Sequence, residues 1–325
     1  MYASFRRLSV TAALVLTGAA TAAFAIAGPA NASTAVSYHF QTLNNGADLT
    51  FNQLLGINDD GVIAGYFGSG AQGHPNKGYE LWTPSTYQNE NFTGSTQTQV
   101  TGLNDEGVTV GFFSTMNTAS MTNNNFGFYK SNGSFHEVNF PTGDNASPQV
   151  DQLLGVNDRD VAVGFYTNGQ GGNRGYEYNI KTHRFTRVLP PGFTSSTSLN
   201  SPSLTATGIN DHGDVAGFYN KTSAQVDAFL QQHNGQFVTL AVPGASMTQA
   251  FGVNDNDEVV GAYTDGTGNN AQTHGFTWRP GYGFTTVDDP HGIGATTING
   301  INDHGDLVGF YTDSAGNTDG VLIQP

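Results

Sequence analysis

GINDDGVIAGYF at Gly56–Phe67 returns five times along the chain. The later copies are GLNDEGVTVGFF from Gly102, GVNDRDVAVGFY from Gly155, GINDHGDVAGFY from Gly208, GVNDNDEVVGAY from Gly252 and GINDHGDLVGFY from Gly300. A period near fifty residues marks a repeat architecture, in which each unit buries its faces against its neighbours.

Each unit reads as four short strands. In the last they are Gly283–Asp288, Thr296–Asn302, Asp306–Tyr311 and Gly320–Gln324, rich in Val, Ile, Phe, Tyr and Thr and bounded by Gly, Asn, Asp and Pro. Nothing after Ser33 has a helical period. Four strands repeated six times predict an all-β fold, a six-bladed β-propeller.

Two connections per unit are tight: the Asn-Asp turn, and a hairpin such as Ser131-Asn132-Gly133 or Asn234-Gly235. The other two are long and vary, as in Phe67–Asn76, Ser114–Asn125, Pro190–Ser203, Thr264–Thr273 and Asp289–Ala295. The longest connection crosses between blades, so TTINGIN-type segments are expected innermost and GFTTVD-type segments outermost. Tight turns then share one face of the disc and variable loops the other. The first strand, Tyr38–Asn44, is of outermost type, and Gly320–Gln324 has no outer partner. Pairing of the two would close the ring and remove an exposed edge.

Arg6 and Arg7, an apolar run Leu8–Ala27 and Ala30-Asn31-Ala32 fit a secretion leader cleaved before Ser33. The residues after the arginine pair fit a twin-arginine signal poorly. Residues 1–32 are therefore read as leader and 33–325 as a single propeller domain in a secreted, extracellular protein. Of 11 basic residues, loss of Arg6 and Arg7 leaves nine against 26 acidic, a formal charge of −17. Such a surface repels phosphate backbones and anionic lipid, which excludes nucleic acid and membrane surfaces as partners. Without cysteine there is no disulfide and no thiolate metal site.

The six Asn-Asp pairs are Asn58-Asp59, Asn104-Asp105, Asn157-Asp158, Asn210-Asp211, Asn254-Asp255 and Asn302-Asp303. Read structurally, both side chains bond backbone amides two residues on, and the following Gly61, Gly107, Gly213 and Gly305 turn left-handed. Asp160 and Asp257 replace that glycine in units three and five, and Asp tolerates the geometry. Read functionally, six repeated carboxylates suggest calcium. The spacing does not reproduce a known calcium loop, and one Asp per blade lies too far from its neighbours unless it faces the axis. Turn chemistry is the favoured reading, and no metal or other cofactor is assigned.

The in-strand glycines Gly65, Gly111, Gly164, Gly217, Gly261 and Gly309 weaken a strand and require a reason. The expected one is close packing of adjacent blades, with the following Tyr66, Phe112, Phe165, Phe218 or Phe310 beside the gap. Among non-repeated residues, His74, His274, Asp288, Asp289 and His291 border the variable loops and form the candidate binding set. His212 and His304 lie in turns and are expected to face solvent. No nucleophile elbow, zinc-helix motif or phosphate loop is present, and no catalytic residue is assigned.

The units resemble the HAF repeat of extracellular bacterial proteins, which joins a G-I-N-x-x-G-x-V-V-G segment to a His-Ala-Phe-x-Trp segment. Unit five carries it best, in GVNDNDEVVGAY followed by HGFTWRPGYGFTTVDD with His274, Phe276 and Trp278; unit one has GYELW, unit three GYEYN and unit four AFLQQ. The resemblance spans Tyr38–Gln324. It implies an exported repeat protein and carries over no activity or cofactor. Three functions are open at this point: a scaffold binding an extracellular glycan or protein through the variable loops, a polysaccharide hydrolase or lyase at the loop-side channel mouth, and a structural matrix or envelope component. The oligomeric state is not legible.

Overall fold

A computed structural model describes residues 37–82, 85–117, 122–190, 203–222, 225–266 and 268–325, all within the unit Ser37–Pro325. The leader and cleavage site, and most of the Pro190–Ser203 loop, lie outside the described residues. No helix among the described residues is long and apolar enough to cross a membrane.

Twenty-four strands form six four-stranded antiparallel blades. The innermost strands are Asn52–Ile57, Gln97–Leu103, Asp151–Val156, Leu204–Ile209, Met247–Val253 and Thr296–Ile301, in blades 1 to 6. Blades 4 and 5 are additionally joined by one parallel bridge, Val226 to Met247. As expected, the chain closes on itself. His39–Thr42 pairs antiparallel with the C-terminal strand, His39 opposite Gln324 and Thr42 opposite Val321. Repeat and blade are thus out of phase by one strand, so both termini are tied into blade 6.

The apolar core is divided among the blade junctions. Leu54, Ile63, Tyr79 and Leu81 of blade 1 pack against Val308 and Leu322 of blade 6. Val108, Val110, Tyr129 and Val138 of blade 2 meet Leu153, Tyr166 and Tyr176 of blade 3. Each remaining junction has its own such layer. Burial is therefore repeated junction by junction, which is how a ring of blades without disulfides is held.

Each innermost strand carries a bulge just before its Asn-Asp turn, with register skipping one residue between Leu54 and Gly56 and at the five equivalent places. The bulge explains both glycine sets and corrects one expectation. A Cβ on the in-strand glycine would meet the facing carbonyl of its own blade, at 1.9 Å from Gln152 O for Gly164 and 2.1 Å from Gln99 O for Gly111. The ring beside it comes from the third strand, since a Cβ on Gly111 or Gly217 would stand 2.9 Å from Phe128 or 2.7 Å from Phe229. Blade-to-blade contact is instead made by the glycine opening each repeat. A Cβ on Gly56 would lie 3.0 Å from Gly102 Cα, the same approach continues through Gly155, Gly208 and Gly252, and a Cβ on Gly300 would lie 3.0 Å from Gly56 Cα.

Candidate functional site

The Asn-Asp pairs converge on the axis at the turn face and line a cavity of about 140 Å³. The local bond expected, to the amide two residues on, is made by Asn157 and Asn254, at 3.1 Å from Arg159 and Asn256, but the repeated bonding is of another kind. Each Asn is buried, and its Oδ1 accepts the amide four residues on, as Asn104 does from Val108 at 2.8 Å. Its Nδ2 donates to the Asn carbonyl of the next blade: Asn58 to Asn104, Asn104 to Asn157, and so on until Asn302 reaches Asn58 at 3.1 Å. Each Asp uses its own amide to donate to the next blade's Asp Oδ1. Asp59 thereby bonds Asp105 at 2.9 Å, and Asp303 returns to Asp59 at 2.8 Å.

Two closed rings of six hydrogen bonds thus stitch the blades together, and the Asp side chains face the axis rather than standing apart. Gathering carboxylates there has an electrostatic cost. Burial, with the neighbouring carboxylates adding to it, raises Asp105 and Asp158 above the usual Asp range, although the donated amides oppose the shift. Every Oδ1 of the ring accepts an amide from the adjoining blade. The left-handed positions are as expected, with φ of 58° at Asp160 and 57° at Asp257 against 76° at Gly61 and 88° at Gly213.

Below this mouth the channel narrows to a cavity of about 70 Å³ lined by the bulge residues and glycines. Leu55, Leu154 and Phe251 alternate there with Thr101, Thr207 and Asn299. The three polar members bond carbonyls of the following blade: Thr101 to Leu153, Thr207 to Ala250 and Asn299 to Leu54, at 2.8 to 2.9 Å. Toward the loop face the corresponding register is Gln53, Gln99, Gln152, Thr205, Gln249 and Thr297. Gln99 and Gln152 donate to Asn76 and Asn125, and Gln53 accepts from Tyr66. None of these six residues is charged.

The candidate loop residues do not form one cluster. His74 reaches Asp48 Oδ2 at 2.7 Å across two loops of blade 1. His274 Nδ1 lies 2.7 Å from Asp288 Oδ2 and its Nε2 lies 3.6 Å from Asp265, while the ring stacks on Tyr263 at 5.1 Å. In the closing blade Asp319 and Asn44 fill the same two strand positions, and Asn44 Nδ2 donates to Asp319 at 2.7 Å. Asp288 and Asn44 also each accept the amide of a glycine on the neighbouring third strand of the blade, Gly275 or Gly320. The His274–Asp288 pair is therefore a variant of a repeated strand-end clasp. His291 and Asp289 are paired at 3.1 Å in the crossing to blade 6, with Asp289 almost wholly buried and His291 exposed.

Two buried ionisable groups escaped the sequence reading: Glu90 occupies an apolar position of the repeat, and Asp151 one that is mostly Asn or Thr in the other blades. Glu90 stands where Val138, Val188 and Val287 stand in other blades. It receives Lys130 Nζ at 2.5 Å and a hydrogen bond from Thr109, and Lys130 also reaches Glu80 at 3.1 Å. Burial, then the adjacent Glu80, pushes Glu90 up to about 7. Asp151, also buried, accepts the Tyr176 hydroxyl at 2.5 Å and the Phe140 amide at 2.7 Å, and burial pushes it up to about 7. The signal available in the sequence was a Glu and a Lys breaking an otherwise apolar column.

No protein-family model and no curated protein matches the chain. Among solved structures it is similar to a mutant Aleuria aurantia lectin in complex with Fucalpha1-6GlcNAc, at 10% identity over 84% of this chain and 91% of that one, TM-score 0.50. It is also similar to virginiamycin B lyase from Staphylococcus aureus, at 12% identity, 87% and 88% coverage and TM-score 0.45. A further structure of the Aleuria aurantia lectin, described as a six-bladed β-propeller, matches at 12% identity, 73% and 76% coverage and TM-score 0.45. At these identities the likeness shows the propeller fold and assigns no activity.

Proposed function

We propose that this is an exported, HAF-like propeller that binds an uncharged extracellular glycan on its loop face and does no chemistry on it. The observation that carries the reading is the contrast between the two channel mouths. The turn-face mouth is a ring of carboxylates consumed in holding the blades together. Toward the loop face the six inner strands carry Gln or Thr and no charged residue at the register Gln53, Gln99, Gln152, Thr205, Gln249 and Thr297, and aliphatic side chains stand exposed on loops of the same face: Leu49 at 61%, Met116 at 50% and Ile293 at 58%. Amides beside apolar patches suit a sugar ring, which offers hydroxyls at its edge and C–H groups on its faces. The lectin similar in fold binds a fucosyl disaccharide, which is consistent with the reading but places no residue.

The test is a screen of the exported protein against a glycan array and insoluble polysaccharides, alongside Leu49→Asp and Ile293→Asp. Both side chains are exposed, so the fold should survive substitution. Saturable binding that these variants abolish supports the proposal. Binding unchanged in both, or release of shortened product from the bound polymer, sinks it.

A further inference from the structure

The geometry points to a divalent transition-metal site of the zinc type on the turn face, held between blades 4 and 5 by His212, Asp214 and Asp257. One ligand atom from each lies within 4.8 Å of the other two. A tetrahedral zinc with bonds near 2.1 Å holds its donors about 3.4 Å apart, a contraction that rotation of the exposed His212 ring supplies.

Asp214 is fixed in place. It is 3% exposed, its amide donates to Asn210 Oδ1 at 2.8 Å, and its Oδ1 accepts the His233 amide at 2.6 Å. Its Oδ2 has only a long 3.4 Å contact from Asn210 Nδ2. Facing it from the next blade, Asp257 Oδ1 is shut off from solvent and has no hydrogen-bond partner. A carboxylate oxygen shielded in this way, opposite a second carboxylate, is stabilised either by a proton shared between the two or by a positive ion between them.

The repeat supplies its own controls. Asp160 occupies the same left-handed position in blade 3, where its Oδ1 is likewise shielded and unpartnered, but its Oδ2 receives Lys181 at 2.9 Å. Among the described residues no Lys or Arg pairs with Asp257 or Asp214, Asp214 Oδ1 has the exposed His233 ring at 3.1 Å, and the nearby Arg279 is taken by Glu258 at 2.6 Å. The His-Gly-Asp turn recurs at His304–Asp306, but there the next blade offers Gly61, and Asp306 is bonded by Gln324 at 3.1 Å. Among the described residues, only the junction of blades 4 and 5 assembles all three donors.

One imidazole nitrogen with two carboxylate oxygens selects zinc or a similar ion over calcium, which prefers oxygen alone. The ion would clamp two blades and keep a coordination position open to solvent.

The decisive variant is Asp257→Gly, because glycine is what blades 1, 2, 4 and 6 hold at this turn, so the fold tolerates it. Chelator-treated full-length protein is titrated calorimetrically with zinc chloride, and its melting is followed with and without the ion. One saturable equivalent, a zinc-dependent rise in melting temperature, and loss of affinity by about 100-fold or more in Asp257→Gly and His212→Ala are expected. No saturable uptake overturns the assignment. Uptake unchanged in Asp257→Gly does so too, by placing the ion on the axial carboxylate ring, as does calcium binding indifferent to His212→Ala.

Discussion

The two faces of the disc are built from the same residue types to opposite ends. On the turn face, six Asn and six Asp bond identically from blade to blade, and each link depends on the next being in place. On the loop face, His74–Asp48, His274–Asp288 and His291–Asp289 are separate local pairs of differing residues, and even the strand-end clasp that holds His274 and Asp288 is filled by Asp319 and Asn44 in the closing blade. A side chain repeated in every blade is answerable to a contact that every junction must make. One that occurs once is free to vary, and is where recognition can be placed without disturbing closure.

The sharpest way to break that contrast is inside the repeat. Gly164→Ala puts a methyl at 1.9 Å from the Gln152 carbonyl, with no flexible atom to give way. Urea unfolding should show a loss of about 3 kcal/mol or more, at the upper end for overpacking. A loss below about 1 kcal/mol would mean the bulge relaxes.

Comparison of Asn104→Ala with His274→Ala weighs the two faces directly. The first strands the Val108 amide, which Asn104 Oδ1 accepts at 2.8 Å in a buried setting, and should cost about 2 kcal/mol. The second removes a partly exposed pair and should cost about 1 kcal/mol or less. Equal losses in denaturant melts would erase the distinction.

The finest test is pH. Glu90 and Asp151 are held near 7 in the folded chain, against about 4 for unfolded carboxylates. Between those values the folded protein keeps protons that the unfolded chain has released. Stability should therefore fall as pH rises from about 4.5 to about 7 and level off above. Asp151→Asn should flatten part of that fall, because Asn52 already fills the position in blade 1 and accepts the Asn45 amide at 2.9 Å. A urea midpoint that moves between pH 5 and 7.5 equally in both proteins would refute this.

Much of the architecture was legible. The repeat predicted six blades, the phase of its strands predicted the closing pair, and Asp160 and Asp257 were read correctly as left-handed. The in-strand glycines were assigned to blade contact, whereas they answer a bulge in their own blade. An isolated Gly inside a strand is itself a bulge signal, but which strand bulges is a property of two paired strands and shows only once they are placed together. His74, His274, Asp288, Asp289 and His291 were found as loop residues, but whether they meet depends on which loops neighbour one another around the ring. Glu90 and Lys130 went unnoticed because a single charge in an apolar column reads as noise until its partner across the junction is placed.

By itself the sequence determined the period, the strand order within a blade and the route of closure, because these follow from local hydrophobic alternation and turn chemistry repeated six times. Only the tertiary structure decided that the Asp carboxylates meet at the axis, that each Asn reaches the next blade's carbonyl, and that His212 and Asp214 stand against Asp257. Those contacts join residues about forty to fifty positions apart, or the two ends of the chain, and their geometry is fixed by closing the ring, which no local segment encodes.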